Sequence, residues 1–185
     1  MNAHRFIVAA ASFAVLAYGS TALAQSQVKY VKFESGGRTS WGILESETSI
    51  RELQGSVFDN SAKPTGRTLK LADVKLLAPA EAKKVIAAGL NYKSHIGQNS
   101  PAKYVGLFAK FPTSLTGHGS DIIYPADATT LHYEAEVCVV IGKRAQNITE
   151  AQVKSHIFGV TPCNDVSERG WQKSDLQWFR AKAAD

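Results

Sequence analysis

Two glutamates that are one residue apart, Glu134 and Glu136, are the side chains of this sequence best suited to chemistry. In an extended strand, alternate side chains share a face, and two rises of about 3.3 Å place these two Cα atoms about 6.6 Å apart. Carboxylates this close repel each other unless a positive charge lies between them, and a hard divalent cation is the natural candidate. A Glu-x-Glu pair taken alone is more often a solvated strand face, so other segments must decide between these interpretations.

Further polar side chains follow apolar stretches of the chain. The apolar run 137–141 continues directly from Glu136, so the acidic pair is expected at the mouth of a buried strand. Asp165 follows another apolar stretch and supplies a third carboxylate at a predicted strand end. His95 follows the apolar run 85–90, and histidine titrates near neutral pH without help. A lone histidine in this position is equally an exposed loop residue.

The elements that would position these residues are strands and two helices. Lys110 lies within an apolar strand-like run, and we expect its side chain to extend along that run to solvent. Thr149 and Gln152 have the spacing of a capping box, which predicts a helix that runs to about Phe158. A second helix is predicted over 171–181.

The chain divides into three predicted parts. Residues 1–24 are an export signal, 25–80 form a small β-rich module, and 81–185 hold the polar clusters and form the catalytic domain. Within the small module, the alternating residues of 28–33 and the apolar run 41–44 predict a hairpin.

The N-terminus has the features of a secretory signal peptide. A short basic start is followed by a small, apolar run over 6–18, and residues 22–24 read Ala-Leu-Ala. The alternative is an uncleaved anchor, but a membrane helix needs about 20 apolar residues, so we expect cleavage after Ala24. The mature chain, which would begin at Gln25, is then expected in a periplasm or outside the cell, with no stable membrane span.

Composition sets broad limits on function. The chain has 185 residues, of which 44% are hydrophobic and 20% charged, which is ordinary for a soluble globular protein of one domain or slightly more. The formal net charge of +5 is modest and the charges are interspersed, so nucleic acid is not an expected partner.

Two cysteines, Cys138 and Cys163, lie in apolar strand-like stretches. An oxidising compartment permits a disulfide between them. We nevertheless favour buried free thiols over a bridge, because a free cysteine behaves as a small hydrophobic residue and a sequence does not show the close Cα approach that a bridge needs.

Several motifs, taken in order, resemble the fumarylacetoacetate hydrolase family. Each motif is weak alone, but their joint occurrence with matching gaps over about residues 28–185 is specific. The motifs are Gly89-Leu90-Asn91-Tyr92 with His95, Phe108-x-Lys110, Tyr133-Glu134-x-Glu136 with Val140-Ile141-Gly142-Lys143, Asn164-Asp165-Val166-Ser167-x-Arg169 with Gln172, and Lys182.

The resemblance implies a β-rich α+β fold. Its core is a mixed β-sandwich roll of the fumarylacetoacetase C-terminal type, preceded by a small N-terminal β module, and a complete fold is usually a homodimer. The family implies Mg²⁺, or Mn²⁺ or Ca²⁺, as cofactor. By the same resemblance Glu134, Glu136 and Asp165 are the metal ligands, which agrees with the preference of hard cations for carboxylate oxygens.

The resemblance also implies an activity. His95 corresponds to the general base that activates water, and Lys182 corresponds to the lysine that stabilises a developing enolate. Arg169 and Gln172 are expected to bind the substrate carboxylate, although Arg169 is equally a structural ion-pair partner. The expected reaction is hydrolysis of a carbon–carbon bond in a β-diketo or acylpyruvate-type acid, as in aromatic catabolism. Alternatives are decarboxylation or isomerisation of a 2-oxo acid, or a non-catalytic remnant that binds only metal or ligand.

Two departures from the family pattern stand out. Many members have a glutamate one helical turn after the histidine, where this chain has Gln98, which accepts a hydrogen bond but brings no charge to stabilise an imidazolium. Members also continue for several strands beyond the segment that matches Lys182, which predicts a C-terminally truncated chain with open sheet edges.

Overall fold

The computed structural model of this chain describes residues 27–97 and 102–184. The predicted signal peptide and Gln98 lie outside these residues. Among the described residues, no helix is both long and apolar enough to cross a bilayer.

A five-stranded antiparallel sheet forms the N-terminal part. Gly36 and Gly37 have φ values of +56° and +73°, and they make the tight turn between the first two strands. Phe33 and Ile50 are fully buried on this sheet. The sheet order is β4-β3-β2-β1-β5, for β1 (Tyr30–Ser35), β2 (Arg38–Leu44), β3 (Ser49–Gln54), β4 (Lys63–Lys70) and β5 (Lys75–Leu77).

The rest of the described chain contains three two-stranded antiparallel ribbons, four short α-helices, short 3₁₀ turns and loops. The ribbons pair β6 (Val85–Gly89) with β7 (Gly106–Lys110), β8 (Leu131–His132) with β11 (Ser167–Glu168), and β9 (Ala135–Ile141) with β10 (Ile157–Asn164). The helices are α1 (Lys93–Ile96), α2 (Glu150–Val153), α3 (Arg169–Ser174) and α4 (Phe179–Lys182). The predicted β-rich α+β class is confirmed.

Two helix predictions are only partly right. The capping box is present, since the Thr149 N–H donates to Gln152 Oε1 at 2.9 Å, but α2 ends at Val153 and a 3₁₀ turn over Lys154–His156 completes the helical segment. Phe158 lies instead in β10, where its ring is 5.7 Å from that of Tyr30 and 4.5 Å from that of Phe58. This aromatic contact with the N-terminal part outweighs the local helix signal.

The helix predicted over 171–181 is interrupted. The structure has α3 and α4 instead, separated at Asp175, which has extended backbone. The Asp175 carboxylate accepts hydrogen bonds from Arg180 at 2.7 and 3.0 Å, and this contact bends the chain back toward α3.

Cys138 and Cys163 form a disulfide, so the expectation of free thiols is wrong. In the β9–β10 register, Cys163 lies opposite Glu136 and Cys138 lies opposite Thr161, which makes the two cysteines diagonal neighbours on one face. Their Cα atoms are 6.0 Å apart, within the range that a disulfide spans. The register that creates this approach is not visible in either strand alone.

The opposite face of the β9–β10 ribbon is apolar and exposed. Its cross-strand pairs are Val137–Pro162, Val139–Val160 and Ile141–Ile157, and the exposed fractions of the five aliphatic members run from 36% to 70%. The ribbon is therefore uncovered on this face among the described residues.

Candidate active site

Glu134 and Asp165 face each other at the polar end of the β9–β10 ribbon. The Asp165 N–H donates to the Glu134 carbonyl at 2.9 Å, which extends the ladder by one pair beyond the regular strands. The Glu134 N–H in turn donates to Asn164 Oδ1 at 3.0 Å. These contacts place the two carboxylates side by side.

The ammonium of Lys182 bridges these carboxylates. Lys182 Nζ is 2.8 Å from Glu134 Oε2 and 2.8 Å from Asp165 Oδ2, and the residue is only 4% exposed. A buried ion pair of this kind persists only when each charge is compensated, and here one cation serves two anions.

Helix α4 holds Lys182 in place through Trp178. The Lys182 N–H donates to the Trp178 carbonyl at 2.8 Å. The Trp178 ring lies edge-on to that of Phe108, with centroids 5.5 Å apart, and it also packs against Gly89. A Cβ at Gly89 would lie 3.2 Å from the Trp178 ring, so the glycine permits this close packing. The β6–β7 ribbon thereby supports the lysine.

Lys110 also joins this cluster, contrary to the expectation that its side chain extends to solvent. Its Nζ is 2.5 Å from Asp165 Oδ1 and 3.5 Å from the Val166 carbonyl, and its side chain is 13% exposed. The sequence does place a lysine inside an apolar strand, and such a lysine needs a buried counter-charge unless its ammonium reaches water. This pattern could have pointed to the ion pair with Asp165.

Arg169 is the third cationic side chain that contacts these carboxylates, after Lys182 and Lys110. Its guanidinium donates to Glu134 Oε1, and it also donates to Gln172 Oε1 at 2.7 Å. The Arg169 Nε lies 3.4 Å from His132 Nδ1. Arg169 is thus an ion-pair partner in this structure, and Gln172 orients it from the next turn of α3.

A buried carboxylate that sequence reasoning missed, Glu168, anchors α3. Glu168 is 1% exposed and accepts hydrogen bonds from the backbone N–H groups of Thr129, Thr130 and Trp171 at 3.2, 2.7 and 2.5 Å. The bond to Trp171 caps the N-terminus of α3, the helix that begins with Arg169. These bonds lower the pKa of Glu168, since they favour the charged form.

Glu136 and His95 both contact Tyr92, apart from the Lys182 cluster. The Tyr92 hydroxyl donates to Glu136 Oε2 at 3.1 Å, and this bond raises the pKa of the phenol. His95 is exposed on α1, with its ring centroid 6.1 Å from that of Tyr92. The structure therefore brings together Glu134, Asp165, Arg169, Gln172 and Lys182 through direct contacts, but not Glu136 or His95.

The electrostatics keep Glu134 ionised. Burial raises the pKa of its carboxyl group, but the hydrogen bonds from Lys182 and Arg169 outweigh burial and hold the pKa at about 2. The carboxylate is therefore an anion at any pH at which the protein is expected to work.

The carboxylates are of the type that a hard divalent cation binds, but their side chains do not converge on one point in this structure. Three carboxylates, those of Glu134, Glu136 and Asp165, are the ligand type that Mg²⁺, Mn²⁺ and Ca²⁺ prefer. Across 27–97 and 102–184, however, no three acidic, histidine or cysteine side chains converge as a metal group would. The Lys182 ammonium lies between two of the carboxylates, and Glu136 is directed at the Tyr92 hydroxyl.

A comparison with protein-family models decides the family. Residues 84–185 match the model described as the fumarylacetoacetate (FAA) hydrolase C-terminal domain, which is more than half of the chain. The chain belongs to the fumarylacetoacetate hydrolase family. Residues 28–79 match a second model, described as Rv2993c-like, N-terminal.

Curated relatives of this family member include proteins of named activity. Protein Rv2993c of Mycobacterium tuberculosis is 43% identical over 143 residues, which are 76% of this chain and 53% of that protein. The oxaloacetate tautomerase YisK of Bacillus subtilis is 39% identical over 123 residues, which are 62% of this chain and 40% of that protein. The chain thus spans about half the length of the curated relatives it matches.

Solved structures agree with the family fold. The structure of Cg1458 superposes with a TM-score of 0.76 at 37% identity, covering 86% of this chain and 61% of that one. A 2-hydroxyhepta-2,4-diene-1,7-dioate isomerase from Mycobacterium marinum superposes with a TM-score of 0.75 at 36% identity, covering 86% of this chain and 62% of that one. Members of this family therefore include tautomerases and isomerases.

Proposed function

We propose that this site catalyses keto–enol interconversion of a 2-oxo dicarboxylic acid, with a divalent cation as cofactor. The observation that carries the proposal is the buried Lys182 ammonium between Glu134 and Asp165. A fixed ammonium in a site that excludes water stabilises negative charge as it develops on oxygen, which is the charge that forms when a 2-oxo acid becomes its enolate.

Glu134, Glu136 and Asp165 would hold the cation. When bound, Mg²⁺, Mn²⁺ or Ca²⁺ supplies Lewis-acid polarisation of the substrate carbonyl. Lys182 donates to the carbonyl oxygen of the substrate, and the backbone bond between Asp165 and Glu134 keeps their carboxylates adjacent during the reaction.

The balance of charge favours a dianionic substrate. Lys110, Arg169 and Lys182 carry three positive charges, which equal the three negative charges of the carboxylates Glu134, Glu136 and Asp165. A divalent cation would leave a surplus of two positive charges, which a dicarboxylate neutralises. Two relatives are named for oxaloacetate and for a heptadiene-dioate, and both of these compounds carry two carboxylates. Their names therefore support a dicarboxylate as the substrate.

His95 is the proposed proton carrier. It lies on α1 beside Tyr92, whose hydroxyl contacts Glu136, and its side chain is exposed. Enolisation asks a base to move one proton at the carbon next to the carbonyl. Many family members have a glutamate at the position of Gln98, where its charge stabilises the protonated histidine. Without that charge, His95 suits the transfer of one proton better than the activation of a water molecule.

Hydrolysis of a carbon–carbon bond in a β-diketo or acylpyruvate-type acid is the second candidate. The observation that favours it is the contact of Tyr92 with Glu136, which ties the helix of His95 to the carboxylates. In this reaction His95 would take a proton from water, the resulting hydroxide would attack the carbonyl, and Lys182 would stabilise the enolate that leaves.

Parallel assays of the full chain distinguish the two functions. The decay of enol-oxaloacetate and the cleavage of an acylpyruvate are followed by absorbance with Mg²⁺, with Mn²⁺ and with a chelator. The proposal expects cation-dependent acceleration of the first reaction, lost in Glu136→Ala. Cation-dependent cleavage with no tautomerisation would support the second candidate. A folded protein that binds the cation but accelerates neither reaction is a non-catalytic binder, and both proposals then fail.

We further propose that the chain acts outside the cytoplasm. The predicted signal over 1–24 supports this, as does the disulfide, because disulfides persist in oxidising compartments. Fractionation of cells that express the full chain, with mass determination of the product, tests the proposal. A product that begins at Gln25 in the exported fraction is expected, and an intact N-terminus in the cytoplasm would contradict it.

A further inference from the structure

The disulfide lies on the same face of the β9–β10 ribbon as the carboxylates. Side chains alternate along each strand, so the register sets three cross-strand pairs on this face. Glu134 lies opposite Asp165, Glu136 lies opposite Cys163, and Cys138 lies opposite Thr161. The bridge from Cys138 to Cys163 therefore crosses the ribbon directly next to the carboxylate pairs.

The ion pairs of Glu134 and Asp165 constrain the last pair of the ribbon, but none of them involves Glu136. A two-stranded ribbon is marginally stable by itself, and the opposite face of this one is exposed. Pro162 in β10 has no N–H to donate to the ladder. A slip of one residue would turn the carboxylates of one strand to the other face, so a device that fixes the register also fixes the site.

We propose that the Cys138–Cys163 disulfide is a positioning element that holds Glu136 and Asp165 in register on one face of the ribbon, the face that carries the proposed cation ligands. It touches neither substrate nor cation. It acts by locking Cys163 beside Glu136 and, two residues further along the same face, holding Asp165 opposite Glu134. The inference rests on the proposed cation site. It implies that cation binding at this site depends on the redox state of the compartment.

The bridge can be opened and closed by thiol–disulfide exchange. A thiolate of a dithiol reductant attacks one sulfur of the bridge, which releases one cysteine and forms a mixed disulfide with the other. The second thiol of the reductant then attacks its own sulfur in the mixed disulfide and releases the second cysteine. Two electrons and two protons pass to the cysteines, which become thiols, while the reductant becomes a cyclic disulfide. Oxidation by a disulfide donor reverses the same exchange.

The first test measures cation binding in the two redox states. The full chain is titrated with MnCl₂ while its melting temperature is followed, once oxidised and once after dithiothreitol treatment and oxygen-free desalting. We expect about 10-fold weaker binding after reduction, the low end of what disturbing the support of a metal ligand costs. Equal affinity in the two states, or free thiols in the oxidised protein by mass, would overturn the proposal.

Two variants separate positioning from general stability. The double variant Cys138→Ala/Cys163→Ala should show the weaker affinity in both conditions and no response to the reductant. Ile50→Ala lowers stability through the fully buried core of the N-terminal sheet and should keep the wild-type affinity. If Ile50→Ala weakens cation binding as much as the double variant does, the effect is global and the proposal fails.

Amide hydrogen exchange provides a readout that does not depend on the cation. The Asp165 N–H bonds to the Glu134 carbonyl, and reduction should speed its exchange by about 10-fold or more because the ribbon opens locally. The amides of β1 and β2 should exchange at the same rate in both redox states. If neither redox state binds Mn²⁺, the proposed cation site falls, and this exchange difference alone decides the positioning role. Unchanged exchange at Asp165 would reject that role.

Discussion

Lys182 Nζ lies 2.8 Å from Asp165 Oδ2, and the two residues are only 4% and 9% exposed. The same ammonium is 2.8 Å from Glu134 Oε2, so removal of this one cation takes one of two cationic partners from each carboxylate. Lys182 is therefore expected to contribute to stability as well as to the proposed chemistry.

Substitution of Lys182 by methionine should destabilise the protein by about 1.5–3 kcal/mol, because hydrogen bonds to two carboxylates are lost while each carboxylate keeps a second cation. Urea unfolding at pH 7 measures the change. Arg180→Met is a matched control, because Arg180 pairs with Asp175 at a more exposed site and should cost about 0–1 kcal/mol. Equal losses for the two variants would mean that the Lys182 contacts are not buried as described.

Lys110→Met should weaken recognition of dicarboxylates more than that of monocarboxylates. Lys110 supplies one of the three positive charges around Asp165 and Glu134, and its loss removes half of the surplus that a divalent cation would create. The ratio of KM values for a 2-oxo dicarboxylate and a 2-oxo monocarboxylate should rise about 10-fold, which corresponds to about 1.4 kcal/mol. The exposed Lys103, which contacts the Tyr104 ring, offers Lys103→Met as a control expected to leave the ratio unchanged.

The buried carboxylate of Glu168 should make stability depend on acid pH. Its pKa is lowered from the ordinary value of about 4.5, so its contribution is fully present above 4.5 and is lost as the pH falls through the lowered value. Glu168→Gln should therefore reduce stability at pH 7 and flatten the decline below pH 4.5. Glu134, with a pKa of about 2, should leave a residual decline in the variant.

Urea unfolding of wild type and Glu168→Gln at several pH values checks this prediction. The difference between the two proteins should be large at neutral pH and shrink as the pH falls below 4.5. A difference that stays constant over this range would show that Glu168 does not exchange its proton differently in the folded and unfolded chains.

Replacement of Cys138 and Cys163 by alanine should lower the free energy of unfolding by about 2–4 kcal/mol, because the bridge closes a loop between residues 25 apart. Urea unfolding of the oxidised wild type and the double variant gives this value. A difference below about 1 kcal/mol would show that the bridge does little to restrict the unfolded chain.

Much of the site follows from the sequence where the signal is local. The alternation of Glu134, Glu136 and Cys138 on one face is set by the strand period, and the position of Asp165 at a strand end is set by the apolar run before it. The family motifs then group these residues with Lys182 and Arg169. The β-rich α+β class follows from the same resemblance, and the alternating residues of 28–33 with the apolar run 41–44 predict the first hairpin.

The remaining features depend on how strands pair. The disulfide needs the register that brings Cys163 opposite Glu136, and this register belongs to neither strand alone. Lys110 is buried because Asp165, which is 55 residues away in sequence, provides its counter-charge. Phe158 leaves the predicted helix because it packs on Tyr30 and Phe58 of the N-terminal part. Contacts between distant segments outweigh local preference in each case.

The cation-dependent change in unfolding free energy tests the central claim most directly. At a Mn²⁺ concentration of about 100 times its Kd, the oxidised full chain should gain about 2.7 kcal/mol of stability, and Glu136→Ala should gain much less. Glu150→Ala, at an exposed glutamate of α2, should gain as much as wild type. A wild-type protein that Mn²⁺ does not stabilise, or a Glu136→Ala variant that it stabilises equally, would contradict a cation site built on Glu134, Glu136 and Asp165.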